Sequence, residues 1–223
     1  MMTQPVTARG MEMRARLLAA AEKVFGEHGF YRVSIVDITR EAGTGTGTFY
    51  LYFTSKEAAF RELVQHLGHE LRAATHIAST RGANRIEAER ASFRAFFDFI
   101  AEHRHMYRLV RQAEFIDPAL FRDYYEVFAS GYAAALAAAM DRGEIARMDP
   151  EALAYCLMGI GDFTGMRWVL WTQEPMPERI FTSILQFIQH GIAAHSAAEG
   201  GDGGEQYTPP SPGQGPGSTP GRA

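Results

Sequence analysis

The chain has 223 residues, is 46% apolar and 22% charged, and carries a net charge of −4, a single cysteine (Cys156) and no apolar run longer than the nine residues of 132–140. That balance suits one or two globular domains with a real core. It excludes an intramolecular disulfide, a multi-cysteine zinc site and a membrane span, which needs about 20 apolar residues, and it offers no bulk positive charge to nucleic acid. The first 14 residues contain no apolar signal-peptide core, so a cytoplasmic protein is expected.

Residues 1–10 read as a flexible arm. Met13, Leu17, Ala20, Ala21, Val24 and Phe25 then recur at helical spacing, so an amphipathic helix is expected over about 11–28, stopped by Gly29. Ser34 can cap a short helix over 35–42 that ends at Gly43. A third short helix covers about 46–52. Ser55 then opens a long one with Phe60, Leu63, Val64, Leu67 and Leu71 on one face, broken by the turn residues at 79–83. Phe93, Phe96, Phe97 and Ile100 make one further stripe, and Met106, Tyr107 and Val110 another. Asp117-Pro118 and Asp149-Pro150 are helix-start signals, opening helices to about 142 and about 171. A last helix, about 178–195, carries Ile180, Phe181, Ile184, Leu185, Ile188 and Ile192. No stretch shows strand alternation. The fold is expected to be all-α, with a three-helix head at 11–56, a larger helical domain at 57–197 and a disordered tail at 198–223. That tail holds eight Gly and five Pro in 26 residues.

Two short helices joined by a tight glycine turn have the layout of a helix-turn-helix. The second helix is rich in small residues (Gly45, Thr46, Gly47, Thr48) and then turns aromatic. Phe49 and Phe53, four apart, can pack inward, while threonine and tyrosine hydroxyls can bond phosphates or base edges. Each glycine inside a helix costs about 1 kcal/mol against alanine, which makes sense if a backbone must lie close to a neighbour such as a DNA phosphate. Lys56, next to Ser55 at the start of the long helix, can hold a phosphate together with free backbone N–H groups.

The run SIVDITREAGTGTGTFYLYFTSKEAAF resembles the DNA-binding head of the TetR family of transcriptional regulators, through Ile38, Ala42, Gly43, Gly47, Thr48, Tyr50, Tyr52, Phe53, Lys56 and Glu57. The usual Val and Ser before the second helix are Thr44 and Gly45 here, so its cap is either weak or supplied by Thr44. The resemblance implies a regulator rather than an enzyme. It implies a homodimer on palindromic double-stranded operator DNA, repressing and released by a small hydrophobic effector, with no cofactor and no membrane partner. It places DNA contacts on Ser34, Thr44, Thr46 and Gly47, and on Thr48, Tyr50, Tyr52 and Lys56. Tyr50 and Tyr52 can instead pack the head, and Ser34 can be only a cap. Residues 44–52 contain no Arg, Lys, Asn or Gln, so base discrimination is expected to come from threonine and methyl contacts and from DNA shape.

The same resemblance makes the last two helices candidates for a dimeric four-helix bundle. Gly161 and Gly165, four apart, let another helix come close, whether a partner's or the chain's own. Dense aromatics in mid-chain fit the walls of an apolar pocket. The candidate effector-binding residues are Phe97, Tyr107, Tyr124 and Phe128, with Phe163, Arg167 and Trp168. Arg167 can meet the anionic head of a ligand such as a fatty acyl-CoA, or form a plain salt bridge. His66 and His69, and His103 and His105, lack the further ligands a metal site requires, and Cys156 reads as a core thiol. The competing class is an all-α ligand-binding or catalytic protein without DNA function. Charge is uneven: residues 1–66 hold 8 basic and 7 acidic groups, the rest 14 and 19. Attraction to DNA must then depend on local placement of Arg9, Arg14, Arg32, Arg40 and Lys56.

Overall fold

Thr7 starts the first helix earlier than its apolar pattern requires. Its hydroxyl accepts the Gly10 N–H at 3.2 Å, so α1 (Ala8–His28) takes in part of the stretch expected as a flexible arm. Apolar spacing fixes only the packing face of a helix; the cap fixes its start. The computed structural model describes residues 7–192. The rest of the arm and the tail at 198–223 lie outside the described residues.

α1 ends at Gly29, whose φ of 82° would strain a side chain. A short 3-10 turn, Phe30–Arg32, leads to α2 (Ile35–Glu41), which opens with a reciprocal cap: the Asp37 N–H donates to the Ser34 hydroxyl, and the Asp37 carboxylate accepts the Ser34 N–H at 2.9 Å. Gly43, at φ 64°, turns the chain into α3 (Thr46–Tyr52). α3 starts at Gly45 without a side-chain cap. Thr44 does not supply one either: its hydroxyl accepts no N–H of α3, and its own N–H donates to the Thr39 carbonyl at 2.9 Å. Ser55 caps α4 (Lys56–Ser79), and Asn84 caps α5 (Arg85–Glu102). α6 (Met106–Ile116) follows, then α7 (Pro118–Asp141) and α8 (Pro150–Gly165), whose caps are Asp117 and Asp149 as the Asp-Pro pairs predict. α8 runs on through one π turn, Met166–Leu170, before α9 (Glu178–Ile192). Among the described residues there is no strand, and no helix is long and apolar enough to cross a membrane. The fold is all-α: a three-helix head followed by a larger helical body.

Two apolar clusters hold it. The first joins α1–α4 to α6 and the start of α7, around Phe25, Phe49, Phe60 and Leu67. The second joins α5, the end of α7, α8 and α9 around Phe97, Leu136, Leu157 and Phe181. Each large side chain buried this way contributes about 1.5–3 kcal/mol. α6 fastens the body to the head: Arg108 donates to the Gly26 carbonyl at 3.0 Å, and Gln112 accepts the Phe30 N–H at 2.6 Å.

The second cluster decides one open alternative and changes two expectations. Gly161 and Gly165 face α5 of the same chain, where a Cβ on Gly165 would lie 2.6 Å from Ile100 Cδ1, so this pair serves intrachain packing. Most of the broad face of α9 is likewise buried internally, through Phe181, Ile184, Leu185, Ile188 and Ile192. Cys156 is not a core thiol; it is exposed, because Leu153, Ala154 and Leu157 occupy the inward face of α8.

Candidate nucleic-acid interface and effector cavity

On α3, Phe49 is buried, Thr48 and Tyr52 are half-buried, and Thr46, Gly47, Tyr50 and Leu51 are exposed. The exposed four sit at i,i+3 and i,i+4 spacing and form one face. Tyr50 projects from it, whereas Tyr52 packs partly on the head core. A Cβ built on Gly45 or Gly47 would meet nothing within 4 Å. Nothing among the described residues therefore requires these glycines to lack side chains. Leu51 was not among the residues expected here; its place beside Tyr50, four after Gly47, was the available signal.

Several expected phosphate-binding groups are engaged internally. The Lys56 ammonium donates to the carbonyls of Phe30 (2.9 Å) and Val33 (2.8 Å) and sits 4.2 Å from the centre of the Phe30 ring. It thereby clamps the α1–α2 connection to the start of α4, and a phosphate would meet its third N–H. Arg14 pairs with Glu62 and Arg40 with Asp37, while Arg9 and Arg32 are exposed. The Ser34 hydroxyl is taken up by its cap and by the Asp37 carboxylate, to which it donates at 2.6 Å. Thr44 is half-buried at the turn.

Between the two clusters lies a cavity of about 510 Å³, lined by α4, α5, α7 and α8. Phe93, Phe96, Tyr124, Phe128 and Tyr132 form its walls. Of the expected ligand residues, Tyr124 and Phe128 line it. Tyr107 borders a small adjoining void that shares Phe96, Tyr124, Tyr125 and Asp162 with the main cavity. The other four are placed elsewhere. Phe97 is buried in the second cluster against Phe93, Phe96 and Phe181. Phe163 is exposed, and Arg167 is exposed with its guanidinium 5.6 Å from the Trp168 ring and 6.0 Å from that of Trp171. Trp168 packs on the second cluster. Arg167 and Trp168 lie on the π turn, beyond the α8 residues 155–162 that line the cavity, and sequence spacing alone gave no sign of that turn.

Besides the tyrosines, the polar groups that do line the cavity are Arg72, Thr75, His76 and Ser79 of α4, Arg85 and Ser92 of α5 and Asp162 of α8. The α4 set recurs at i,i+3,i+4,i+7, a polar stripe beside the apolar one, which is the signal the sequence held. Arg85 is paired with Glu89, at 8% and 1% exposure, and the Tyr132 hydroxyl donates to the same Glu89 carboxylate. Arg72 enters no ion pair among the described residues. Burial raises the Asp162 carboxyl above its usual range, opposed by the Tyr107 hydroxyl and the Arg111 guanidinium. Burial also raises the Tyr107 hydroxyl, helped by Asp162, and Tyr107 donates to the Asp162 main-chain carbonyl.

An acid with a raised folded pKa favours folding at low pH and loses that contribution as pH rises through the folded value. Asp162→Asn is therefore expected to raise the melting temperature at pH 7. The gain should vanish below the unfolded carboxyl value, about pH 3.9. A melting temperature unchanged at pH 7 would show that the carboxylate is not desolvated.

A helix-turn-helix head with an uncovered α3 face, carried on a helical body that encloses an apolar cavity, defines a DNA-binding protein of the helix-turn-helix class. Residues 17–63 match the family model for bacterial regulatory proteins, tetR family. Residues 17–63 thus form a DNA-binding head of the tetR type. It is 41% identical over 68 residues to YdgC of Bacillus subtilis, an uncharacterized HTH-type transcriptional regulator, covering 30% of this chain and 35% of that one. It is 27% identical over 180 residues to the HTH-type transcriptional regulator EthR of Mycobacterium tuberculosis, covering 77% and 83%. The transcriptional regulator FadR from Bacillus subtilis, solved in complex with stearoyl-CoA, shares the fold with a TM-score of 0.70 at 20% identity, covering 78% of this chain and 96% of that one. The chain thus spans about a third of the length of YdgC. These relatives are regulators, not enzymes.

Proposed function

We propose that the protein is a cytoplasmic repressor that occupies a palindromic operator as a homodimer and leaves it when a long apolar molecule with an anionic head enters the cavity. An acyl-CoA-like thioester fits that description. The observation that carries the effector class is Arg72: a guanidinium with no ion pair among the described residues, on the wall of an aromatic cavity of about 510 Å³. An unpaired cation at an apolar site is costly unless an anion reaches it. Arg72 also belongs to α4, the helix that begins beside α3, so a group bound there acts on the element that carries the head. The stearoyl-CoA complex of FadR, which has the same fold, supports the same class. DNA contacts are proposed on the α3 face and its flanks, at Thr44, Thr46, Gly47, Thr48 and Tyr50, with lesser shares for Ser34, Tyr52 and Lys56. Phe163 on α8 and Phe187 on α9, 66% and 70% exposed, support dimerisation through those helices.

The test is operator selection from random duplex DNA, followed by release. Two chains per selected duplex are expected, and a long-chain acyl-CoA should lower operator affinity at least about tenfold. Arg72→Gln should weaken that response by about ten- to a hundredfold, the worth of a hydrogen bond to a charged group, without changing affinity for DNA alone. A fatty alcohol as potent as the acyl-CoA would remove Arg72 from the reading. One chain per duplex would remove the dimer.

A further inference from the structure

A single exposed leucine is ordinary protein surface. Leu51 is set apart by where it stands. It is 71% exposed, on the α3 face that none of the described residues covers, next to Tyr50 at 56%. One turn earlier on that face is Gly47, where a Cβ would meet nothing within 4 Å. A glycine there lets the helix backbone approach a groove closely and brings the side chain of the following turn deeper. The other exposed side chain of the face is Thr46, which is short. No Lys, Arg, Asn or Gln occurs in 44–52, so nothing on α3 can make a bidentate hydrogen bond to a base. Beyond the single hydroxyls of Thr46 and Tyr50, what this face offers a base is apolar contact. The apolar feature of the major groove is the C5-methyl group of thymine.

We infer that Leu51 reads a thymine methyl, and that each operator half-site carries a T·A pair beneath it. The inference rests on the DNA-binding reading above and adds a residue and a base to it. It also gives a physical reason for a leucine in water on a DNA-facing helix: its methyl groups lose their hydration only in the complex, and only on a sequence that presents a matching methyl. A cytosine at that position lacks the methyl, and a purine places polar atoms there.

The experiment replaces each thymine of the selected operator, one position at a time, by deoxyuridine, which lacks only that methyl. Binding is measured for the full-length wild type and for Leu51→Ala. One thymine per half-site is expected to matter for the wild type. Losing the burial of one methyl should weaken binding about fourfold per half-site and about fifteenfold for both. With Leu51→Ala the same replacement should leave affinity unchanged. Because Leu51 is exposed, the variant should melt with the wild type, which excludes a folding defect as the cause. If deoxyuridine has the same effect in both proteins, the methyl is read by another side chain and the inference is overturned. If no thymine position matters to the wild type, it is overturned as well. A wild type that selects no operator and binds no duplex at low salt overturns instead the DNA-binding reading on which the inference stands.

Discussion

Gly47→Glu is expected to weaken operator binding by at least about a hundredfold while leaving the melting temperature unchanged or raised. The two readouts separate because no described residue occupies the space beyond Gly47: a Cβ there meets nothing within 4 Å. Inside the helix the substitution should help, since glycine costs about 1 kcal/mol against good helix formers and an acidic group is favoured in a first turn. Against DNA it adds both bulk and a negative charge beside phosphates, and juxtaposed like charges cost several kcal/mol. At 1.4 kcal/mol per tenfold, that gives about a hundredfold or more. A variant that folds and binds the operator like the wild type would show that this face of α3 does not meet DNA. The protein's phosphate grip gives little compensation, because Arg14, Arg40 and Lys56 are already engaged within the chain.

Glu89→Leu is expected to cost about 3–5 kcal/mol of folding stability, because it leaves the Arg85 guanidinium buried without its carboxylate. It also removes the acceptor of the Tyr132 hydroxyl. For a chain of this size the melting temperature should fall on the order of 10 °C, measured at fixed protein concentration because the proposed dimer would make apparent stability concentration-dependent. The double replacement Arg85→Met with Glu89→Leu should recover most of the loss, since a well-packed apolar pair often equals or exceeds a buried ion pair. A cost below about 1 kcal/mol for the single variant is what an exposed pair would give. That result would contradict the 8% and 1% exposure of the two side chains.

Parts of the molecule were legible before folding because their physics is local. The Ser34 cap, the Gly29 and Gly43 turns, and the inward pair Phe49 and Phe53 each depend on residues within one helical turn. So do the caps of α7 and α8 at Asp117 and Asp149. The cavity was legible as a tendency, in aromatic density, but its lining was only partly so. Tyr124 and Phe128 line it, while Phe97 is core and Phe163 and Arg167 face outward. The π turn after Gly165 changes the angular register of every residue behind it, and a count of 3.6 residues per turn cannot anticipate that.

The amino-acid sequence by itself determined the all-α fold and the helix-turn-helix head, because periodicity, caps and turn glycines act over a few residues. Tertiary structure decided which charges are free. Lys56 looked like a phosphate ligand and is a clamp on two carbonyls 26 and 23 residues away. Gly161 and Gly165 suited either a partner's helix or the chain's own, and are packed on α5. Arg72 passed unnoticed, and it is the guanidinium on the cavity wall without an ion pair among the described residues. The reason is common to all three: whether a group is spent or available depends on neighbours distant in the chain, and only folding brings them within reach.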